Sequence, residues 1–189
     1  MVRSFTSAAI EREVLDRLLD LARRAPSAGF SQGTHFVVLE GASEATRFWD
    51  ITLPASERSG FPWPQLLDAP VIVLPLADPA AYTSRYAEAD KAATGLDDAD
   101  RWPVPYWTID TAMAVMLLLL AAHDEGLGAL FFGVFREETA LRAALGIPGR
   151  LVLLGAVALG WPGPSDAPGG SAVRRPRRPL ADVVHRGGW

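Results

Sequence analysis

Residues 29–33 read G-F-S-Q-G and match the G-x-S-x-G pattern of the nucleophile elbow in serine hydrolases. That chemistry needs a strand before the serine and a helix after it, so that the hydroxyl stands exposed at the end of the strand. Here a helical pattern precedes the serine and a strand pattern follows it. A triad would also need an Asp and then a His downstream, and neither Asp110 with His123 nor Asp182 with His185 lies in a supporting pattern. We therefore interpret residues 29–33 as a glycine-rich turn.

Other side-chain chemistries find little support in the sequence. The chain has no cysteine, which excludes disulfides, thiolate nucleophiles, iron–sulfur clusters and cysteine-bound zinc. The histidines, His35, His123 and His185, are far apart and lack the spacing of metal ligands, so we predict no metal site. No phosphate-binding P-loop and no dinucleotide glycine fingerprint is present. The sequence therefore names no catalytic acid, base or nucleophile.

The composition is that of one globular domain of 189 residues, with 49% hydrophobic and 21% charged residues. A net charge of −4 does not favour binding to nucleic acid or to an anionic membrane. The N-terminus has no apolar core of a signal peptide, and the absence of cysteine fits a cytoplasmic location, which we expect. The most apolar stretch, residues 112–122, is shorter than the roughly 20 apolar residues of a bilayer span, so we predict a buried helix there.

Hydrophobic periodicity predicts helices and strands in an order that favours an α+β or α/β sandwich, with helices covering a central sheet. The predicted helices are residues 10–25, 43–49, 110–125 and 137–145, and the predicted strands are residues 35–40, 71–76, 129–134 and 151–159. The helix at 110–125 is apolar on nearly every side, which is typical of helices that are buried all round. In a chain of this size, a subunit interface is one natural way to bury it.

Two segments lie outside this pattern. Residues 78–106 have weak periodicity and form either a lid over a binding pocket or a surface loop with buried anchors. The side chains in question are Tyr82, Tyr86, Lys91, Trp102 and Tyr106. Residues 161–178 are rich in Pro, Gly and Arg and cannot form a core of their own. We predict a single domain over residues 1–189, in which residues 161–189 are a tail that wraps around the body or around a partner subunit.

The most specific signal is a set of short segments in a fixed order. Residues 18–32 read L-L-D-L-A-R-R-A-P-S-A-G-F-S-Q, and the helix that Asp110 opens ends in G-L-G at 126–128. L-G-I-P at 145–148, G-W-P at 160–162 and R-R-P-L at 177–180 follow, and V-V-H at 183–185 and Trp189 close the chain. Together these segments resemble the nitroreductase family, with residues 43–106 unmatched.

The resemblance implies an α+β fold, a nitroreductase-like α/β sandwich with a central mixed sheet flanked by helices, as an interlocked homodimer. It implies FMN at the subunit interface, held by both chains. By position, Arg3, Arg175 and Arg177 correspond to the residues that meet the flavin phosphate, with Arg178 as an off-by-one alternative. Guanidinium groups suit a phosphate dianion because they form paired charge-assisted hydrogen bonds. The alternative for these residues is a solvated basic tail.

Two further segments correspond to contacts with the flavin ring. The turn that cradles the isoalloxazine from the other subunit corresponds to Pro26, Ser27 and Ala28. Phe132 and Gly133 match the segment whose backbone N–H groups approach flavin N5 and O4, where a glycine lets the backbone come close to the ring. The alternative for Phe132 is plain core packing. The family's asparagine in the turn falls on Phe30, which either stacks near the ring or only fills space.

The function that the resemblance implies is an FMN-dependent oxidoreductase of the cytoplasm. NAD(P)H would deliver a hydride to flavin N5, and a nitroaromatic, a quinone or a similar small-molecule acceptor would then take the electrons in the same pocket. Two alternatives stay open. One is a flavin-dependent dehydrogenase or flavin-consuming enzyme of the same fold, and the other is a non-catalytic dimer that binds or sequesters flavin.

Overall fold

The computed structural model describes residues 1–164 and 171–189. The helices are α1 (Arg12–Ala22), α2 (Gly41–Thr52), α3 (Pro79–Tyr86), α4 (Tyr106–Asp124), α5 (Glu138–Leu145) and α6 (Ser171–Arg174). The strands are β1 (Thr34–Glu40), β2 (Val71–Ala77), β3 (Gly128–Phe132), β4 (Val152–Leu153) and β5 (Ala156–Gly160). The predicted α+β arrangement is confirmed, and the weakly periodic segment at 78–106 contains α3, which the sequence did not predict.

The strands form one sheet in the order β1-β2-β5-β3, with β4 paired to β2 beside β5. Every pairing among these described strands is antiparallel, so the prediction of a mixed sheet is wrong for this part of the chain. Periodicity reports that a strand exists and not which way its neighbour runs. The predicted strand 151–159 is divided into β4 and β5, because Leu154 and Gly155 leave the ladder while the Leu154 N–H still donates to the Pro75 carbonyl at 3.1 Å.

Helices cover both faces of the sheet, and β2 is buried along its whole length. Side chains of a strand alternate between the two faces. Ile72 and Leu74 accordingly pack in the core beneath α2 and α5, whereas Val71 and Val73 pack in the core beneath α1 and α4. Because both faces are covered, the strand reads as a continuous apolar run.

In the single chain, the long helix α4 is buried on one side, and burial of its other side by a partner subunit stays a prediction. One face packs on α1 and the sheet, and the opposite face exposes Ile109, Met113, Met116 and Leu120 at 40%, 37%, 53% and 53%. Within residues 1–164 and 171–189, α4 is the one helix long and apolar enough to cross a membrane by length and composition alone. The core helix of a soluble protein passes the same test.

The N-terminal residues close one edge of the molecule against the exit of β5. Phe5 forms a bridge with Pro162, the Thr6 N–H donates to the Trp161 carbonyl, and the Gly163 N–H donates to the Ser4 carbonyl. Residues 173–189 are all exposed, so this part of the predicted tail does not pack into the body of its own chain. Residues 165–170 of the tail lie outside the described residues.

Candidate functional site

Five of the eight predicted site residues line one of two separate cavities, and Ala28, Arg175 and Arg177 line neither. Arg3, Phe132 and Gly133 line a cavity at the end of β3, which we call the β3 cavity. Pro26 and Ser27 line a second cavity beside the turn after α1, which we call the turn cavity. The sequence prediction requires this separation, because the turn is expected to reach the flavin of the other subunit.

The β3 cavity has a volume of about 380 Å³ and aromatic walls. The Phe132 ring stacks on Trp49, with ring centroids 5.7 Å apart and planes within 5°. The Arg3 guanidinium lies 5.4 Å from the centre of the Trp63 ring, which places a positive charge over an aromatic wall. The cavity is therefore shaped for a flat apolar group with an anionic substituent on the Arg3 side.

Gly133 lies at the mouth of the β3 cavity, where its backbone is approached closely by a ring. A Cβ atom built on Gly133 would lie 2.4 Å from Cζ of Phe135. Phe135 is itself 94% exposed, so its ring covers the Gly133 backbone without being packed into the core. The glycine provides the flat surface that a ring needs in order to lie against the main chain.

The turn cavity has a volume of about 420 Å³. Besides Pro26 and Ser27 it is lined by Phe30, by the buried Ala114 of α4, and by polar side chains. The polar members are Arg23, Arg24, Gln32 and Thr34. Arg23 and Arg24 both hydrogen-bond to Asp20, and these bonds hold the pKa of that carboxyl below its usual range.

Asp110 hydrogen-bonds to the backbone of the turn after α1 from the interior of the protein. Its buried carboxylate accepts one hydrogen bond from the Ala28 N–H at 2.8 Å and another from the Tyr82 hydroxyl at 2.8 Å, both at Oδ2. The Ala28 N–H is therefore already hydrogen-bonded inside the protein. Burial, together with the bond to Asp110, raises the pKa of Tyr82 well above the ordinary range of tyrosine. The network fixes the turn to α3 and α4 at once.

Arg85 of α3 makes a second connection to the turn. Its Nε donates to the Gly29 carbonyl at 2.9 Å, and both terminal nitrogens donate to the Asp90 carboxylate at 2.7 and 2.8 Å. Hydrogen bonds from Arg85 lower the pKa of Asp90. The predicted lid residues Tyr82 and Trp102 are buried, and their rings meet edge to face at 5.9 Å. The segment 78–106 is thus anchored to the body, and its role as a lid stays a prediction.

The two glycines of the G-x-S-x-G segment let tyrosine rings pack closely against the backbone of the turn. A Cβ on Gly29 would lie 2.7 Å from the Tyr86 ring, and a Cβ on Gly33 would lie 2.6 Å from the Tyr82 ring. The Ser31 hydroxyl donates to the Ala28 carbonyl at 2.6 Å, inside the turn. A helical turn precedes Ser31 and β1 follows it, which is the reverse of a nucleophile elbow. In residues 1–164 and 171–189, no group of His, Asp or Glu side chains is placed to hold a metal ion.

The C-terminal candidates are not joined to the rest of the site. Arg175 and Arg177 are exposed, and neither lines the β3 cavity or the turn cavity of its own chain. Their predicted contact with a phosphate therefore depends on an arrangement that one chain does not contain.

A sequence profile described as the Nitroreductase family matches residues 1–161. The chain belongs to the nitroreductase family. The match includes residues 43–106, where short motifs gave no signal, and it ends before the exposed tail. The matched segment therefore includes the lining residues of both cavities and every element from α1 to β5.

Similar proteins come from several organisms. An Archaeoglobus fulgidus protein named for NADH dehydrogenase and NAD(P)H nitroreductase is 30% identical over 165 residues, covering 85% of this chain and 79% of its own. The 5,6-dimethylbenzimidazole synthase of Rhodospirillum rubrum is 30% identical over 174 residues, covering 85% and 77%. This chain is an oxidoreductase of the nitroreductase family, and its relatives carry the names NAD(P)H nitroreductase and NADPH-dependent oxidoreductase.

Solved structures confirm the nitroreductase-like fold. A nitroreductase family protein of Clostridium novyi NT is 27% identical, with a TM-score of 0.63 over 87% of this chain and 80% of that one. A nitroreductase of Desulfovibrio desulfuricans in complex with FMN is 24% identical, with a TM-score of 0.69 over 100% of this chain and 91% of that one.

Sequence reasoning missed several residues of the candidate site. Trp49, Trp63 and Phe135 line the β3 cavity, but an aromatic residue carries no mark in the sequence that separates a cavity wall from ordinary core packing. The sequence indicates Asp110 as the residue that opens the predicted helix, where an acidic side chain is favourable. The partners of that carboxylate, however, are 28 and 82 residues away in sequence.

Proposed function

We propose that the protein is an FMN-dependent oxidoreductase that moves a hydride from NAD(P)H to a nitroaromatic, a quinone or a similar acceptor. The observation that carries this proposal is the β3 cavity, which joins the Arg3 guanidinium, aromatic walls and a glycine, Gly133, whose backbone a ring already covers, in one concave site. We further propose a homodimer in which the turn cavity of one chain completes the β3 cavity of the other. A cytoplasmic location belongs to the same proposal.

The residues present fit FMN by their chemistry. Arg3, with Arg175 and Arg177 from the tail, would hold the phosphate through charge-assisted hydrogen bonds. The main chain at Phe132 and Gly133 would lie against the ring, and the turn at Pro26 and Ser27 would meet it from the partner. When bound, FMN supplies the hydride chemistry that none of these side chains has.

The protein's own part is to bind, orient and keep water out. The aromatic walls of the β3 cavity remove water from one side of the site, which strengthens electrostatic interactions there. The Asp110 and Arg85 contacts fix the turn before any ligand arrives, so that less ordering is needed on binding. No side chain of the described site is assigned as an acid or base, because the redox group needs none.

The exposed apolar face of α4 and the exposed tail support the dimer. A monomer rarely leaves a contiguous apolar patch of this kind in water. The basic residues of the tail are exposed and line neither cavity of their own chain. In a dimer they would reach the β3 cavity of the partner. The site is then incomplete in a single chain.

The first experiment is an absorption spectrum of the purified protein, followed by mass spectrometry of whatever small molecule heat releases. We expect flavin bands and the mass of FMN, with NADH or NADPH bleaching the bands in the absence of oxygen and a nitroaromatic or quinone restoring them. A colourless protein that also fails to take up added FMN would overturn the proposal and favour a non-catalytic binding dimer.

The phosphate contacts can be tested by comparing FMN with riboflavin, which lacks the phosphate. We expect Arg3→Gln and the double change Arg175→Gln, Arg177→Gln each to raise the Kd of FMN by about tenfold or more, because a charge-assisted contact is lost. The Kd of riboflavin should stay nearly the same. Arg186→Gln, another exposed arginine of the tail, is the matched control. Equal losses for both flavins would contradict the assignment.

A second candidate function is favoured by one comparison. The Rhodospirillum rubrum relative is 30% identical to this chain over 174 residues, and it carries the name of a 5,6-dimethylbenzimidazole synthase. Chromatography of reaction mixtures with NAD(P)H, FMN and oxygen would detect 5,6-dimethylbenzimidazole. Its formation, with no turnover of nitroaromatics or quinones, would replace the first candidate with this one.

A further inference from the structure

Phe30 combines a strained backbone conformation with an exposure of its ring that the folding of one chain does not explain. Its φ angle is 58°, in the left-handed region that a bulky side chain rarely adopts, and its ring is 73% exposed to water. Both features are unfavourable in the isolated chain. Strained residues of this kind cluster at ligand sites, where the surrounding structure enforces them.

The turn enforces this conformation through several hydrogen bonds. The Phe30 N–H donates to the Ser27 carbonyl at 2.9 Å, and the Ser27 hydroxyl oxygen accepts from the Gln32 N–H at 3.0 Å. Asp110 holds the Ala28 N–H behind them. The backbone is thus fixed from both sides, and Phe30 lines the turn cavity together with Pro26.

The rest of the turn cavity favours a planar ring that carries oxygen substituents. Pro26 and Ala114 offer small apolar surfaces, and the Phe30 ring offers a flat one. Arg23 and Arg24 share the single carboxylate of Asp20, which leaves an excess of positive charge at the mouth. Nitro, carbonyl and carboxylate oxygens carry the negative charge that such a mouth attracts.

We propose that Phe30 is a specificity-determining residue, whose ring forms the stacking face for the planar ring of the electron acceptor. This inference rests on the proposed function, because it places the turn cavity of one chain over the flavin site of its partner. Offset stacking of two rings adds an interaction beyond the burial of apolar area. The site would therefore prefer planar acceptors over non-planar molecules of equal size and charge.

The test uses two non-reducible probes, benzoate and cyclohexanecarboxylate, which share a carboxylate and differ in planarity. Their Kd values are measured by calorimetry on the purified protein, and the flavin content of each sample is recorded by its absorption spectrum. We expect the wild type to bind benzoate about fivefold more tightly than its saturated counterpart. Phe30→Leu, which keeps an apolar side chain but removes the flat face, should abolish this preference, and Phe30→Trp should keep it.

Phe30→Asn separates the strain from the stacking. Asparagine adopts left-handed φ values readily, so this variant should raise the Tm of the flavin-free protein while losing the preference for benzoate. In turnover it should raise KM for a planar quinone by about fivefold and leave KM for ferricyanide, which does not stack, unchanged.

Several outcomes would overturn the role of Phe30. One is a dimer that dissociates in Phe30→Asn with the benzoate preference intact, since the residue is then a subunit contact. Another is a raised Kd of FMN with the same preference, since the ring then packs on the cofactor. A flavin-loaded wild type that binds both probes equally overturns this inference alone. A protein that neither carries nor takes up FMN but keeps a Phe30-dependent preference overturns the proposed oxidoreductase alone.

Discussion

Asp110 shows at the residue scale why the turn after α1 has one conformation. Its carboxylate is buried and accepts two hydrogen bonds, one from the backbone of the turn and one from Tyr82. A buried carboxylate is tolerated only where donors replace the water it has lost. The sequence placed an acidic residue in an apolar helix, but it did not show that the donors come from the turn and from α3.

Asp110→Asn should loosen the turn. The amide keeps the size of the carboxylate but loses its charge, so the hydrogen bonds at Oδ2 become weaker or are lost, which costs about 2 kcal/mol in the free energy of unfolding. The Kd of FMN should rise with it if the turn meets the flavin. Urea unfolding and FMN titration measure the two effects. Asp124→Asn, at an exposed aspartate of the same helix, is the control. An unchanged unfolding energy would show that the network carries no stability.

Gly29→Ala should be more harmful than a glycine replacement at an open position with the same backbone. Gly29 and Gly146 have φ values of 61° and 64°, but only the first would place its Cβ against Tyr86. Gly146→Ala should cost about 1 kcal/mol for the left-handed backbone, and Gly29→Ala at least about 1 kcal/mol more for the collision. Urea unfolding of both variants gives the difference. Equal losses would mean that Tyr86 moves aside freely.

At the element scale, the sequence predicted the strongly periodic elements and missed those stabilised by distant contacts. Helices α1, α4 and α5 and strands β1, β2 and β3 lie within a few residues of their predicted positions. Helix α3 was not predicted because its side chains are fixed by distant partners rather than by a local apolar face. Tyr82 hydrogen-bonds to Asp110, and Arg85 hydrogen-bonds to the Gly29 carbonyl. The mixed sheet was expected from the resemblance alone, because alternation of side chains is the same in parallel and antiparallel strands and predicts no direction.

Tyr82→Phe should make the free energy of unfolding fall less steeply as the pH rises in the alkaline range. Burial and the bond to Asp110 raise the folded-state pKa of Tyr82 above its ordinary value of 10.0. The stabilisation is therefore complete below about pH 10 and is lost as the pH rises further, because the unfolded chain gives up the proton first. The decline is up to about 1.4 kcal/mol per pH unit for this one group.

Unfolding by urea at about pH 8 and about pH 11 measures the effect. At the lower pH, Tyr82→Phe should itself cost about 1 kcal/mol because Asp110 loses a donor. Tyr106→Phe, at an exposed tyrosine, is the control for removal of a hydroxyl group. A variant whose alkaline decline is as steep as that of the wild type would contradict the buried position of Tyr82.

At the scale of the whole molecule, the exposed features of the single chain belong together. The apolar face of α4, the tail and the two separated cavities each lack something that a second copy would provide. The sequence indicated an interface through the apolarity of α4. It did not show which face would be exposed, because that depends on how α1 and the sheet cover the helix.

Met116→Glu should convert the proposed dimer into monomers, because a charge in the middle of the apolar face of α4 would have to be desolvated. Sedimentation equilibrium should give twice the 20.3 kDa chain mass for the wild type and the single mass for the variant. Bound flavin should be lost with the dimer. Val152→Glu, at a part-exposed apolar residue of β4, is the matched control. A monomeric variant that keeps its flavin would contradict a site shared between chains.

The order of strands has a consequence for how the chain is made in the cell. The last core strand to leave the ribosome, β5, inserts between β2 and β3, which were synthesised before it. Until residues 156–160 emerge, the nascent chain exposes two apolar strand edges with unpaired backbone groups, which are templates for aggregation. A message truncated before β5 would therefore yield a product that is cleared or bound by chaperones, rather than a smaller functional protein.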